Sequence, residues 1–175
     1  MNSNLIESIR SIPDFPKKGI VFRDITTLLK DPLAFNQAID ILTEHYRSKE
    51  IAKVVSVESR GFILGAPLAY TLGAGFVPVR KPKKLPAETI RQRYQLEYGT
   101  DALEIHKDAI APGELVLIVD DLLATGGTIL AAARLVEQLG GKIVSLAFLI
   151  ELSFLNARAR LGGYDLFSII KYDSE

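Results

Sequence analysis

The sequence contains no cysteine. Disulfide bonds, thiolate metal sites and a cysteine nucleophile are therefore excluded. The sequence also has no excess of charge, because 21 Lys and Arg residues balance 21 Asp and Glu residues. Proteins that bind a polyanion such as DNA usually carry a basic surface, so we expect no nucleic-acid partner.

Several sequence patterns are missing as well. No apolar run approaches the roughly 18 residues of a membrane span, so we expect no membrane partner. The N-terminal MNSNLIESIRS lacks a basic start followed by an apolar core, so we expect no signal peptide and a cytoplasmic protein. The fingerprints GxxxxGKS/T and GxGxxG are also absent, which argues against a P-loop nucleotide hydrolase and against the usual dinucleotide-binding site.

The 175 residues, 48% of them hydrophobic, are enough for a single domain spanning residues 1–175. Strand-like and helix-like segments alternate, which predicts an α/β fold with a mostly parallel central sheet flanked by helices. The predicted strands are KVVSV (53–57), GFVPV (75–79), ELVLIV (114–119), KIVSLAFLIEL (142–152) and LFSII (166–170). The predicted helices cover Asn2–Arg10, residues 33–48, a stretch ending at Leu72, about 126–139 and about 154–161. Asp31 and Pro32 predict the start of the second helix, as an N-cap acid followed by proline at the first helical position.

One segment between the predicted strands differs in character. RKPKKLPAETIRQRYQLEY (80–98) is basic, and its second half alternates apolar and polar residues. A turn at Gly99 then leads to ALEIH (102–106), which alternates again. This pattern predicts a positively charged β-hairpin.

The segment VLIVDDLLATGGT (116–128) joins an apolar strand to two acids and then to a turn of small residues. Ligands of open α/β sheets bind at the carboxyl ends of strands, where Asp120 and Asp121 are predicted to lie. Backbone N–H groups at the start of the next helix, uncrowded at Gly126 and Gly127, form a cradle for an anion. A ribose phosphate would fit, with its phosphate on the turn and its hydroxyls on the acids.

Local physics leaves other interpretations of this segment open. Glycine-rich turns between a strand and a helix are common in α/β proteins. Two acids at a strand end can be a solvated edge, or they can bind Mg²⁺ as in nucleotide hydrolases. The hydrolase interpretation lacks its P-loop partner in this chain.

The same segment resembles the phosphoribosyl pyrophosphate (PRPP) signature of the type I phosphoribosyltransferases, in its adenine-specific form. Four further segments resemble that family in the same order: FPKKGIVFRDITTLLKDP (15–32), VESRGFILGAPLA (57–69), VPVRKPKKLPAETI (77–90) and YGTDALEIHKDAIAPG (98–113). The resemblance covers nearly the whole chain. It implies the type I phosphoribosyltransferase fold, with an N-terminal base-binding cap at about residues 1–34 and a flexible hairpin flap at about residues 80–101.

The activity that this resemblance implies is transfer of the 5-phosphoribosyl group from PRPP to adenine. The products are AMP and pyrophosphate, and the reaction belongs to purine salvage. Mg²⁺ is the implied cofactor, held mainly through PRPP and water. Asp120 and Asp121 would bind the ribose hydroxyls and stabilise an oxocarbenium-like transition state. The 5′-phosphate would bind to Ala124, Thr125, Gly126, Gly127 and Thr128.

The implied pyrophosphate site combines Ser59 and Arg60 of the ESRGF turn with Lys81 and Lys84 of the flap. By analogy with the family, a cis peptide is expected at Ser59–Arg60. Without the resemblance, a solvated surface cation is the favoured interpretation of Arg60, and a solvated basic loop is the alternative for the flap lysines.

Glu104 is the candidate general acid or base. The resemblance implies that it manages a proton on the imidazole side of adenine, where a purine nitrogen must lose a proton as it becomes the nucleophile. An exposed sheet face explains its alternation with Leu103 and Ile105 equally well. His45 and His106 are expected to be structural or surface residues.

The implied adenine site uses Val21, Phe22 and Arg23 of the cap, with Leu122 on the other side of the ring. A place in the core is the alternative for Phe22. Tyr98 belongs to the flap, whose closure would exclude the water that competes with adenine for the activated ribose.

Rival functions remain at this stage. Relatives that use 6-oxopurines read the exocyclic oxygen with a basic side chain shortly after the PRPP loop, where this chain offers only Lys142. Orotate-specific relatives have a cap that VFRD does not resemble. A non-enzymatic regulator that keeps the loop as a PRPP sensor would add a nucleic-acid-binding segment and lose the flap. The resemblance also implies a homodimer.

Overall fold

The computed structural model describes residues 3–95 and 99–174. Both helices and strands occur throughout these ranges. In chain order they are α1 (Ser3–Glu7), β1 (Arg10–Ile12), β2 (Phe22–Asp24), α2 (Thr26–Leu29), α3 (Pro32–Tyr46), β3 (Lys53–Val57), α4 (Arg60–Leu72), β4 (Gly75–Val79), β5 (Thr89–Gln95), β6 (Thr100–His106), β7 (Leu115–Leu123), α5 (Gly127–Gln138), β8 (Lys142–Leu152), a 3-10 turn (Ser153–Leu155), α6 (Ala157–Arg160) and β9 (Leu166–Tyr172).

Five strands form the central sheet in the order β4-β3-β7-β8-β9, and every pair in it is parallel. The strands are apolar along most of their length because both faces of the sheet are covered. One core lies between the sheet and helices α3 and α4, and the other lies between the sheet and α5. The α/β fold and its parallel sheet are thus as predicted.

Local signals set the ends of the helices. The carboxylate of Asp31 accepts hydrogen bonds from the N–H groups of Leu33 and Ala34, and Pro32 is the first residue of α3. This is the predicted N-cap arrangement. Gly73 ends α4 in the left-handed conformation, with φ of 67°. None of the helices in the described ranges is long and apolar enough to cross a membrane.

Two antiparallel pairs lie outside the central sheet. Strands β1 and β2 form a short pair, and β5 and β6 form a hairpin with Thr89 opposite His106 and Gln95 opposite Thr100. The hairpin was predicted. The strand pair β1–β2 was not, because its strands have only three residues each and carry no clear alternation.

The structure corrects three predicted boundaries. Helix α1 ends at Glu7, and Arg10 belongs to β1 because it pairs with Asp24. The predicted helix at 154–161 is a 3-10 turn followed by α6, separated by Asn156 at φ of 52°. Strand β7 does not end before the acids but continues through them to Leu123, because that end of the strand remains paired with β8.

Candidate active site

A cavity of about 400 Å³ opens at the carboxyl ends of β3 and β7. Residues 57–60, at the end of β3 and the start of α4, form one wall. Residues 120–129, from the acid pair through the loop and into α5, form the other. The two neighbouring parallel strands thus bring together two segments that lie about sixty residues apart in the sequence, at the edge where α/β sheets bind ligands.

The acid pair lies inside this cavity, on consecutive residues of β7. Asp121 is buried, and its Oδ2 lies 2.9 Å from Nε of Arg60. Asp120 is half-buried, and its Oδ1 accepts a hydrogen bond of 2.9 Å from the backbone N–H of Asp121. Arg60 therefore reaches back from the start of α4 to neutralise one of two adjacent carboxylates.

The two acids have perturbed pKa values. Burial raises the pKa of Asp120 well above its ordinary value, and the neighbouring charge of Asp121 adds to the shift. Burial also raises the pKa of Asp121, but there the guanidinium of Arg60 opposes it. Two acids whose surroundings differ in this way are typical of a functional site.

Gly61 allows the start of α4 to approach β7 closely. A Cβ atom at this position would lie 2.8 Å from Oδ1 of Asp120 and 3.2 Å from the backbone oxygen of Val119. Any larger residue would push the helix from the strand or displace the Asp120 side chain. The glycine of the ESRGF turn is therefore part of how the acid is positioned.

The loop at residues 124–128, here called the Gly loop, leads from β7 into α5. Gly126 has φ of 80°, which favours glycine, and α5 begins at Gly127. The first N–H groups of a helix have no partner within it, so those of α5 are available as donors for an anion. The predicted anion cradle lies within the cavity, directly beside the acid pair.

The structure corrects the position of the cis peptide in the ESRGF turn. The cis bond is Glu58–Ser59, one residue before the predicted Ser59–Arg60. Glu58 also has a role that was not predicted. Its carboxylate accepts hydrogen bonds from the side chain of Arg80 at 2.8 and 2.9 Å and from the backbone N–H of Lys81 at 2.6 Å. It thus ties the cavity wall to the segment that leads into the hairpin.

The two lysines predicted to bind pyrophosphate lie outside the cavity lining. Nζ of Lys81 is 3.1 Å from Oδ2 of Asp101, on the partner strand of the hairpin. Lys84 is exposed, and its backbone oxygen accepts a hydrogen bond of 3.3 Å from Arg80. Ser59 and Arg60, by contrast, line the cavity.

The predicted adenine site is only partly assembled. Leu122 lines the cavity, and the ring of Phe22 lies 5.6 Å from Cζ of Arg60, so the cap strand β2 reaches the rim. The guanidinium of Arg23 does not face the cavity. It stacks 3.9 Å from the ring centre of Tyr172 and donates a 2.5 Å hydrogen bond to Ser11. Val21 precedes β2 and is half-buried.

Glu104 is buried within the hairpin and lies outside the cavity lining. Its Oε1 accepts two hydrogen bonds from Arg91, at 2.5 and 2.8 Å, and its Oε2 accepts one of 3.0 Å from the N–H of Lys83. Although burial raises its pKa, these donors lower it, and the net shift is downward. Both carboxylate oxygens of Glu104 therefore accept hydrogen bonds from within the protein. The predicted flap residue Tyr98 lies outside the described residues.

Both histidines have structural contacts. The ring of His45 stacks on Phe167 with centroids 3.8 Å apart. Nε2 of His106 accepts a 3.4 Å hydrogen bond from the N–H of Ala87.

Tyr94 is a second residue that the sequence alone did not single out. It lies on β5 with its ring against Gly127, where a Cβ atom would be 3.9 Å from its Cδ2. Its hydroxyl donates to Oδ2 of Asp101 at 3.4 Å and lies near the side chain of Thr128. Partial burial raises its pKa. The period-2 alternation of β5 was the available signal, since it places Tyr94 on the same face as Ile90.

The family model for the phosphoribosyl transferase domain matches residues 24–171. The adenine phosphoribosyltransferase of Solibacter usitatus is 64% identical over 165 residues, which cover 94% of this chain and 95% of the relative. This chain belongs to the phosphoribosyltransferase family, in its adenine phosphoribosyltransferase branch.

Solved structures of other phosphoribosyltransferases agree. The adenine phosphoribosyltransferase of Thermoanaerobacter pseudethanolicus superposes with a TM-score of 0.95 at 58% identity, covering 98% of this chain and all of the other. That of Saccharomyces cerevisiae, in complex with an imino-altritol bisphosphate and adenine, gives a TM-score of 0.90 at 42% identity, with 95% and 96% coverage. The predicted type I phosphoribosyltransferase fold is confirmed.

Proposed function

We propose that the protein transfers the 5-phosphoribosyl group of PRPP to adenine and releases AMP and pyrophosphate. The observation that carries the proposal is the acid pair Asp120–Asp121 beside the Gly loop in one cavity. The 64% identity to the adenine phosphoribosyltransferase of Solibacter usitatus supports the same function. The cavity volume of about 400 Å³ falls within the usual range for small-molecule sites.

In the proposed reaction the bond between C1 of the ribose and the pyrophosphate oxygen breaks, and a ring nitrogen of adenine forms the new bond to C1. Positive charge develops on the ribose as the old bond lengthens. The carboxylates of Asp120 and Asp121 bind the ribose hydroxyls and stabilise that charge. Because β7 holds both carboxylates in fixed positions, they need no rearrangement as the charge develops. The N–H groups and hydroxyls of the Gly loop hold the 5′-phosphate.

Arg60 serves the leaving group in this scheme. Its Nε is held by Asp121, which leaves the two terminal nitrogens of the guanidinium to bind pyrophosphate together with Ser59. Lys81 and Lys84 are proposed to join them when the hairpin moves, because in the present arrangement Lys81 is paired with Asp101. Phe22 and Leu122 would enclose the adenine ring, with the backbone of Val21 and Arg23 along its edge.

Mg²⁺ is the proposed cofactor. Within the described residues no three His, Cys, Asp or Glu side chains are grouped as a metal site. The acid pair offers the carboxylate oxygens that Mg²⁺ prefers, and Mg²⁺ is commonly held by one or two carboxylates, substrate phosphates and water. When bound, the ion would neutralise charge on the pyrophosphate.

Three finer points belong to the same proposal. Glu104 is the proposed acid or base, although its present contacts require the hairpin to rearrange before it can reach a substrate. The homodimer and the cytoplasmic location also rest on the family alone.

The decisive experiment measures product formation from PRPP, Mg²⁺ and each of adenine, hypoxanthine, guanine, xanthine and orotate. AMP formed with adenine alone is the expected result. Turnover of a 6-oxopurine would leave the PRPP site in place and overturn the assignment of the base site. PRPP binding without turnover of any base would make the protein a sensor.

A further inference from the structure

A second cavity, of about 180 Å³, lies between the hairpin and helix α5. Its wall includes Gln92 and Tyr94 of β5, Arg134 of α5 and Arg160 of α6. Gly127 lines both this cavity and the candidate active site, so the two cavities adjoin at the start of α5. Nothing in the proposed reaction uses the second one.

The arginines around this cavity lack the carboxylate partners that most arginines of the described residues have. Six arginines pair with a carboxylate within 4.0 Å: Arg10, Arg47, Arg60, Arg80, Arg91 and Arg158. Among the described residues, Arg93, Arg134 and Arg160 have no such partner, and all three line this cavity. Arg23 has none either, but it lies elsewhere and stacks on Tyr172.

The acid closest to Arg134 along α5 is engaged elsewhere. Glu137 accepts a 2.8 Å hydrogen bond from the hydroxyl of Tyr164. The guanidinium of Arg160 lies close to the backbone of Gly127. A Cβ atom built on Gly127 would be 3.3 Å from Nη1 of Arg160. Within the described residues these arginines pair with no acid, and cations gathered around one concave surface raise the local positive potential and attract an anion.

We propose that this second cavity is an anion site that binds the phosphate group of a small molecule through Arg134 and Arg160. Guanidinium groups match phosphate oxygens with two parallel hydrogen bonds, which makes arginine the usual residue for this task. The cavity is smaller than the roughly 300 Å³ at which small-molecule pockets begin, so it admits a phosphate or pyrophosphate group rather than a whole nucleotide. The proposal does not depend on the activity proposed above.

The test is calorimetric titration of the protein with inorganic phosphate at constant ionic strength, with and without saturating AMP. Wild type is expected to bind two phosphates, one at the Gly loop and one in the second cavity, and AMP should remove only the first. The double variant R134Q/R160Q should lose the AMP-insensitive phosphate, with a rise in its Kd of about tenfold or more because charge-assisted hydrogen bonds are removed. Both arginines are exposed, so the variant is expected to fold normally.

R47Q is the matched control, since Arg47 is an exposed arginine that pairs with Glu44 on α3. It should bind phosphate as wild type does. An AMP-insensitive phosphate that persists unchanged in R134Q/R160Q would overturn the proposal, and so would its absence from wild type. If AMP itself does not bind, the proposed function fails, but a drop from two phosphates to one in the double variant would still support the anion site.

The free anion and a phosphate carried by a larger molecule are separated by a further titration with AMP alone. A second AMP that binds to wild type and not to R134Q/R160Q identifies the phosphate group of a nucleotide as an occupant. A single AMP per chain, with inorganic phosphate still bound at the second cavity, identifies the free anion. Both results support the site.

Discussion

The side chain of Arg60 pairs with Asp121 across the mouth of the candidate active site, with Nε 2.9 Å from Oδ2. Asp120, the next residue along β7 toward the N-terminus, has no arginine of its own within the described residues. One acid of the pair is therefore compensated by a fixed cation and the other is not. A ligand with hydroxyl donors and developing positive charge would complement the uncompensated acid.

Asp120→Asn is expected to raise stability at neutral pH and to lower activity. A raised pKa means that the folded state binds the proton more tightly than the unfolded chain. The stability from this site is therefore complete below the unfolded pKa of about 3.9 and is lost as pH rises through the raised folded value. The amide that replaces the carboxylate does not ionise, so the Asp120→Asn variant does not lose this stability as pH rises. Denaturant unfolding near about pH 8 should show a gain on the order of 1 kcal/mol, with a smaller difference near about pH 5.

Asp40→Asn is the control for this prediction, because Asp40 is exposed on α3. It should leave the free energy of unfolding within about 0.5 kcal/mol of wild type at either pH. Equal destabilisation of Asp120→Asn at both pH values would show that the charge of the acid pair does not cost stability.

Gly61→Ala is expected to damage activity more than its small size suggests. The new methyl group would lie 2.8 Å from Oδ1 of Asp120, so the carboxylate must move. A displacement of about 1 Å in a positioned group costs roughly tenfold to a hundredfold in kcat/KM, and overpacking costs about 1–3 kcal/mol of stability. Steady-state kinetics and denaturant unfolding measure the two effects.

Gly162→Ala is the matched substitution, since its methyl group would meet nothing closer than the backbone oxygen of Ala159 at 3.7 Å. It should retain wild-type kinetics. Similar kinetics for the two variants would mean that the contact of Gly61 with Asp120 has no influence on the reaction.

Glu104→Gln separates a structural role from acid–base chemistry. The pair with Arg91 and the bond from Lys83 indicate that its carboxylate holds the hairpin together. Its lowered pKa gives stability that is present above the unfolded value of about 4.3 and is lost as pH falls through the folded value. Glu104→Gln should therefore lose about 1–3 kcal/mol near neutral pH and much less in acid.

The pH dependence of kcat distinguishes the two roles for Glu104. If the proposed acid–base role is correct, the variant loses a limb of the profile in addition to stability. An unshifted profile with reduced stability assigns Glu104 to the hairpin alone. Glu88→Gln is the control, because Glu88 is 82% exposed in its pair with Lys107 and should change stability by less than about 1 kcal/mol.

Tyr94→Phe is expected to loosen the hairpin from the Gly loop without unfolding the protein. The ring remains, but the hydroxyl contacts with Thr128 and Asp101 are lost. Amide hydrogen exchange in β5 should accelerate by about fivefold to tenfold, as expected from losing one hydrogen bond of about 1 kcal/mol. Tyr70→Phe, at an 87% exposed position on α4, should leave exchange unchanged. Unchanged amide hydrogen exchange in Tyr94→Phe would mean that apolar packing alone holds the hairpin against the Gly loop.

Much of this molecule follows from the order of its residues. The strands at 53–57 and 75–79 were predicted with the bounds that the structure gives, because short, mainly apolar runs specify buried strands locally. Asp31 and Pro32 marked the start of α3 for the same local reason. The acid pair and the glycine turn beside it were also predicted from the sequence, because they belong to one continuous segment. The same segment indicated the family.

Tertiary structure decided what depends on distance across the fold. The pairing of Arg60 with Asp121 exists because β3 and β7 are neighbours in a parallel sheet, a relationship that residues sixty positions apart do not encode locally. The engagement of Glu104 by Arg91 depends on the hairpin register, and the stacking of Arg23 on Tyr172 depends on where β9 ends. Side-chain partners of this kind are set by packing, because a charged group takes whichever compensating group the folded chain brings within reach.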